Sequence, residues 1–183
     1  MDCDYSLSRP VENPTLRVIS LGAGVQSSVM ALLASREIIK PMPDCAIFSD
    51  TGWEPKEVYD HLEWLIPQLA FPVYKVSNGN IKDSVVHQNS DSSARFASIP
   101  FFIQTENGVG MGRRQCTNEF KITPILKKVR ELCGLEKGER AKTKNILVEQ
   151  WFGISWDEIQ RMKNPQEKWI HGRWPLIEMR WRR

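Results

Sequence analysis

The stretch between Ser20 and Ser28 contains residue types that bind an anion through the backbone. It reads Ser20-Leu21-Gly22-Ala23-Gly24-Val25-Gln26-Ser27-Ser28 and lies between a predicted strand and a predicted helix. Small residues let backbone N–H groups approach a phosphate or sulfate, the helix start adds partial positive charge, and the serine hydroxyls are further donors. The pattern is neither a Walker A loop nor GxGxxG. It predicts phosphate or sulfate binding, or else a tight turn that caps a helix.

A second polar turn, Ser49-Asp50-Thr51-Gly52, follows the next predicted strand. The Asp50 carboxylate could hold a ribose hydroxyl or a metal-bound water, and Gly52 lets the backbone turn sharply. The alternative is that Asp50 caps the start of the following helix.

Cationic and nucleophilic side chains come together in Arg113, Arg114, Cys116 and Lys121. Arginine grips phosphate or sulfate with forked N–H donors, and lysine adds a compact positive charge. Two neighbouring arginines favour the thiolate form of Cys116, which could be a nucleophile, a metal ligand or a small buried residue. The alternative for the basic residues is a solvated loop.

The elements that must position these residues alternate between strand and helix. Strands are expected at about 16–20, 45–48, 71–76 and 146–151, and helices at 25–35, 55–69 and 120–133. This order predicts an α/β fold, a parallel twisted sheet with helices on both faces, in a single domain over 1–183. We expect a polar tail over about 1–14, short helices and mobile loops over 78–114, and an irregular end over 164–183. Sites in such sheets lie beyond the carboxyl ends of the strands, where both polar turns fall.

Composition excludes several functional classes. The chain has 183 residues and a net charge of +3, which permits an anionic ligand but demands no nucleic acid. Its four cysteines form no CxxC pair, so we expect neither a zinc ribbon nor an iron–sulfur cluster. The chain has no apolar run of about 18 residues and no signal-peptide pattern, which predicts a cytoplasmic protein without membrane association. Basic clusters late in the chain predict a solvated face or contact with nucleic acid.

Four motifs in this order resemble the 3′-phosphoadenylylsulfate (PAPS) reductase-like branch of the PP-loop ATP pyrophosphatases, the adenine nucleotide alpha-hydrolase-like superfamily. The PP-loop usually reads SGGxDS; Gly22 to Ser27 align with it, and Gln26 replaces the Asp, as is common in the reductase branch. Asp50-Thr51-Gly52 resembles the D-T-G motif of that branch. The closest likeness is to members from phages and bacterial mobile elements.

Two later motifs extend this resemblance. Arg113 to Cys116, followed by Lys121 and Pro124, is similar to the C-x-x-x-x-K-x-x-P region of the family. Gly153-Ile154-Ser155 is similar to the strand end that closes the family's nucleotide pocket, although many relatives have Arg where this chain has Ser155.

The resemblance implies a Rossmann-like three-layer sandwich that binds ATP or a PAPS-type adenine nucleotide, with Mg²⁺ as a candidate cofactor that Asp50 could help to hold. The implied nucleotide-binding residues are Ser20, Gly22, Ala23, Gly24, Val25, Gln26, Ser27, Ser28, Asp50, Thr51, Gly52, Gly153 and Ile154. The implied catalytic residues are Asp50, Arg113, Arg114, Lys121 and Cys116.

Departures from the family decide the expected reaction. PAPS reduction uses a cysteine in a C-terminal E-C-G-x-H segment, whereas this sequence finishes with Trp181-Arg182-Arg183. We therefore expect chemistry at the α-phosphate of ATP, with release of pyrophosphate, rather than reduction. The alternatives are a module that binds or sequesters a nucleotide without turnover, and a subunit of a sulfur-transfer or DNA-modification complex. The chain could also form a homo-oligomer.

Overall fold

The computed structural model describes residues 9–82, 102–105, 108–111 and 117–183. The strands in these ranges are β1 Leu16–Leu21, β2 Cys45–Asp50, β3 Val73–Ser77, β4 Phe102–Thr105, β5 Gly108–Met111, β6 Val148–Phe152 and β7 Ile170–Arg173. The α-helices there are α1 Val25–Ser35, α2 Lys56–Leu65, α3 Thr123–Leu132 and α4 Pro175–Glu178. None of the described helices has the length and apolar character needed to cross a membrane.

Five strands form one all-parallel sheet in the order β3-β2-β1-β6-β7. The chain goes from β1 through β2 to β3 on one side of β1, and β6 then pairs with the other side of β1, so the strand order reverses between β1 and β6. Clefts for ligands in open parallel sheets lie at such a reversal, beyond the carboxyl ends of the strands. β4 and β5 pair with each other in a separate antiparallel sheet.

Helices cover both faces of the large sheet. Successive residues of a strand point to opposite faces, so a strand such as β1 contributes to two apolar clusters. Ile19 of β1 packs in one apolar cluster with residues of α1, α2 and α4, such as Met30, Leu62 and Leu176. Its neighbour Val18 packs in a second cluster with Val129 of α3. The three-layer α/β sandwich predicted from the order of elements is thereby confirmed.

Several elements differ from the sequence prediction. The helix expected at 55–69 is α2 followed by a 3₁₀ turn, Ile66–Gln68, and the helix expected at 120–133 begins as a π-helical turn, Asn118–Ile122, before α3. The segment 78–114 contains the unpredicted strands β4 and β5; most of its other residues lie outside the described ranges. The end of the chain is more regular than expected, since it supplies β7 and α4.

Candidate functional site

The loop between β1 and α1 presents backbone at the carboxyl edge of the sheet. Ala23 adopts a left-handed conformation with φ of 52°, and Gly24 precedes the helix in an extended conformation. No side chain of the described residues caps the start of α1, whose first N–H groups have no partner within the helix. Gly22, Gly24 and Val25 are exposed, and a Cβ added at Gly24 would meet nothing within 4 Å. Open backbone donors at a helix start are what an anion requires.

The serine hydroxyls of this segment are engaged within the protein. The Ser27 hydroxyl accepts the Gly22 N–H at 3.3 Å and donates to the Gly24 carbonyl at 3.1 Å. Ser28 Oγ shares a 2.8 Å hydrogen bond with His61 Nε2 on α2. Ser20 Oγ, expected as a further donor, accepts a 2.6 Å hydrogen bond from the amide of Gln150 on β6. The hydroxyls therefore shape the loop, and the backbone N–H groups at the start of α1, rather than the Gly22 N–H, remain as its donors toward a ligand.

The exit of β6 packs directly against the first turn of α1. A Cβ at Gly153 would lie 2.7 Å from both the N and Cα atoms of Ser27, so only glycine fits without a shift of backbone. The Gln26 side-chain amide donates to Glu158 at 2.7 Å and to Ser155 Oγ at 3.4 Å. Sequence analysis placed Gly153 and Gln26 in the same site, and the structure brings them together; the role of Glu158 as the partner of Gln26 was missed.

The turn after β2 is held by the Asp50 carboxylate. Asp50 Oδ1 accepts the Gly52 N–H and the Tyr59 hydroxyl, both at 2.8 Å. Burial, and then the hydrogen bond to Asp50, raise the pKa of the Tyr59 phenol. Asp50 does not cap the next helix, because α2 begins six residues later, at Lys56. Within the described residues no hydrogen bond reaches the other oxygen of Asp50, which can therefore accept a ribose hydroxyl or approach a metal ion.

Lys121 lies beside this turn. Its ammonium group is 3.2 Å from Glu54 Oε1, and about half of the side chain is exposed. The π-helical turn that carries it is held against β2, because the buried Ser49 hydroxyl donates to the Phe120 carbonyl at 2.6 Å. Glu54 also accepts a hydrogen bond from Thr51, so the second polar turn and Lys121 form one connected group.

Three candidate residues, Arg113, Arg114 and Cys116, lie outside the described residues, as does Cys3. Gly52 and Thr51 are where the prediction placed them, at the end of β2: Gly52 has φ of 70°, and Thr51 is buried. Ile154 follows Gly153, and its N–H donates to the Phe152 carbonyl at 3.0 Å. Near this strand exit, Trp151 is fully buried and Trp156 is half-buried beneath Arg180.

Tyr59 and Glu54 are two neighbours of the turn after β2 that the sequence did not predict. Both are polar residues in or just before α2, where only the apolar positions repeat at helical spacing. A signal for Tyr59 did exist, since a phenol on the first turn of a helix that follows an Asp-containing turn is placed to reach back to it. Nothing in the spacing of the sequence identified Glu54 as the partner of Thr51 and Lys121.

The two described cysteines lie away from this edge. Cys45 begins β2 at the opposite edge of the sheet, and burial raises the pKa of its thiol to about 12. Burial also raises the pKa of the Cys133 thiol, which follows α3. Among the residues with described positions, no group of three or more His, Cys, Asp or Glu side chains gathers in a way that would hold a metal ion.

The candidate site is thus the segment Gly22 to Ser28, named the anion loop after its predicted ligand, flanked by the turn after β2, Lys121 and the exit of β6, at the point where the strand order reverses. Comparison with models of known protein families and with curated protein sequences finds no match to this chain.

Proposed function

We propose that the chain binds an adenine nucleotide at the carboxyl edge of β1, β2 and β6, with its phosphates on the backbone of Gly22 to Ser28. The observation that carries this proposal is the start of α1, which no described side chain caps and which lies beside the reversal of strand order between β1 and β6. A helix start offers aligned N–H donors and partial positive charge to an anion. The exposed Gly22 and Gly24 leave room for phosphate oxygens to approach closely.

The turn after β2 supplies the second half of the proposed nucleotide site. The oxygen of Asp50 that accepts no described hydrogen bond would receive a ribose hydroxyl or contact a magnesium ion. Magnesium in nucleotide sites commonly takes one or two carboxylates and completes its shell with phosphate oxygens and water, so a single Asp50 oxygen fits such an ion. When bound, the ion would offset charge on the phosphates.

For the reaction, we propose that an oxygen of water or of an acceptor substrate forms a bond to the α-phosphorus of ATP as the bond to the α–β bridging oxygen breaks, which releases pyrophosphate and leaves AMP or an adenylate. The backbone loop and Lys121 would stabilise negative charge as it develops on the phosphates. Arg113 and Arg114, which precede Lys121 by eight and seven residues, are the further proposed cationic residues. Cysteine chemistry at this edge receives no support from Cys45, which is buried, or Cys133, which is partly buried, because both lie elsewhere and burial raises the pKa of both thiols.

A second candidate function is nucleotide binding without turnover. The observation in its favour concerns Gln26, which occupies the position where the PP-loop commonly has an aspartate. The Gln26 side-chain amide donates a hydrogen bond to Glu158 at 2.7 Å. A loop without that carboxylate has one fewer ligand to position a metal ion on the phosphates. Product analysis separates the two functions: an enzyme converts ATP to AMP or an adenylate with stoichiometric pyrophosphate, whereas a binding module leaves ATP intact.

Isothermal titration of the purified chain with ATP, AMP, PAPS and adenosine 3′,5′-bisphosphate, each with and without Mg²⁺, tests the proposal. We expect saturable binding that the loop variant Gly24→Glu abolishes, because its carboxylate would occupy the open space beside the helix start and repel phosphate. Gly24→Ala is the matched control, since a Cβ at this position meets no neighbour and should leave binding nearly intact. A folded wild-type chain that binds none of the four ligands would contradict the proposal.

A further inference from the structure

One tryptophan stands out at the proposed site because it is large, apolar and exposed. Trp53 belongs to the turn that leaves β2 at the carboxyl edge of the sheet, and 55% of its surface is accessible. Trp151 and Trp174 are buried, whereas Trp64 is as exposed as Trp53 but lies on α2. We infer that Trp53 stacks on the base of the bound nucleotide, an inference that rests on the function proposed above.

Hydrogen bonds to neighbouring side chains hold the backbone that carries Trp53. Its own N–H donates to the Thr51 hydroxyl at 3.4 Å, and the next residue, Glu54, receives the Thr51 hydroxyl and pairs with Lys121. The Glu54 N–H donates to the Tyr59 hydroxyl at 3.4 Å. An exposed indole on a fixed turn loses little conformational freedom when a ligand covers it, which favours binding.

The segment after β3 restricts the backbone before Trp53 further. The Ile81 N–H donates to the Thr51 carbonyl at 3.0 Å. A Cβ at Gly52 would lie 3.0–3.1 Å from atoms of Asn80, so the turn and the segment after β3 are in close contact. The position of Trp53 along the edge is therefore set by β2, by α2 through Tyr59, and by the segment after β3.

The anion loop and the turn that carries Trp53 follow two neighbouring strands at the same edge of the sheet. β1 and β2 are hydrogen-bonded neighbours with Leu21 opposite Phe48, and paired strands lie about 4.8 Å apart. The anion loop follows Leu21 directly, and Trp53 comes five residues after Phe48. A ligand with phosphates on the first loop would thus extend its base across the neighbouring turn.

Chemistry also favours a base over other ligands for this side chain. Indole offers the largest aromatic face among the side chains, and the face of a base packs on it without needing a specific hydrogen bond. A purine covers more of the ring than a pyrimidine does, so we expect ATP to bind more tightly than CTP. Trp53 would then select the base class while the anion loop holds the phosphates.

Titrations of the full chain with ATP, CTP and inorganic triphosphate test the inference. We expect Trp53→Ala to raise the Kd for ATP about five- to a hundredfold, the range for loss of one stacked base, and to leave triphosphate binding unchanged. Trp53→Phe should recover part of the ATP affinity because it keeps a ring. Trp181→Ala is the matched control: Trp181 is also exposed, at 40%, and its described hydrogen bonds use only its backbone. That control should bind ATP as the wild type does.

The outcomes separate the inference from the proposed function. If Trp53→Ala binds ATP as tightly as the wild type while Gly24→Glu binds neither ATP nor triphosphate, the stacking inference is wrong and the anion loop stands. If Trp53→Ala weakens ATP and triphosphate equally, the indole supports the loop rather than the base, which also overturns the inference. If the wild type binds neither ligand, the proposed function fails and the inference fails with it.

Discussion

At the scale of single residues, the loops of the proposed site depend on side chains that form hydrogen bonds with the protein backbone. Ser27 fixes the anion loop through two hydrogen bonds, and Asp50 fixes the turn after β2 through two more. Residue types at the ends of predicted strands were sufficient to nominate both. Tyr59, the partner of Asp50, left a signal in its place on the first turn of α2. Glu158, the partner of Gln26, was not predictable, because it comes from a distant segment whose packing no local pattern specifies.

Replacement of Tyr59 by Phe should loosen the Asp50 turn. The change removes the hydroxyl that donates to Asp50 and accepts from Glu54, so we expect a loss of about 1 kcal/mol in the free energy of unfolding and weaker ATP binding. Urea denaturation and titration measure the two effects. Tyr74→Phe is the control, since in the described residues the ring of Tyr74 contacts Lys128 and no described hydrogen bond uses its hydroxyl. Equal stability of both variants would show that the Tyr59 bond contributes nothing.

At the scale of elements, the sequence predicted best where an apolar period and a sharp boundary coincide. α1 was predicted at its observed bounds, and β1 differed by one residue, because glycine and serine mark that junction. The Trp- and Pro-rich end concealed β7 and α4, which are only four residues each and too short for a period to develop. β6 pairs with β1, which is distant in sequence, so the close contact between Gly153 and Ser27 could not be predicted from the local sequence.

Gly153→Ala should displace the first turn of α1. The new Cβ would lie 2.7 Å from backbone atoms of Ser27, which cannot move aside as the end of a flexible side chain can. We expect destabilisation of about 2 kcal/mol and loss of measurable ATP binding. Gly24→Ala, which meets no neighbour, is the matched control for the backbone effect of alanine. Thermal unfolding measures the change, and wild-type stability in Gly153→Ala would contradict the tight contact.

At the scale of the whole molecule, a buried ionic group connects the strands that carry the site. Glu149 of β6 is completely buried, and its Oε1 lies 3.5 Å from Arg17 Nε on β1 and 3.6 Å from Arg173 on β7. It also accepts hydrogen bonds from the Trp151 indole and from the Val11 N–H. Arg173 continues the group to Glu178 of α4. Sequence analysis missed this group, since a charge inside a predicted strand carries no sign of its partners.

Neutralisation of Glu149 should therefore destabilise the entire sheet. In Glu149→Gln the buried Arg173 and the partly buried Arg17 would lose their shared negative charge, and removal of one partner of a buried pair costs about 3–5 kcal/mol. Glu37→Gln removes an exposed pair with Lys40 and should change stability by less than about 1 kcal/mol. Urea denaturation of both variants gives the comparison. A small effect at Glu149 would mean that the buried group is not a determinant of stability.

The most direct test of the nucleotide site is to record backbone amide shifts of the isotope-labelled chain by nuclear magnetic resonance as ATP is added. The account predicts the largest saturable shifts at Gly22, Gly24, Val25 and Gln26, with a second group at Asp50 to Trp53, and none of this response in Gly24→Glu. Saturable shifts confined to other parts of the chain, or no shifts at millimolar ATP, would contradict it.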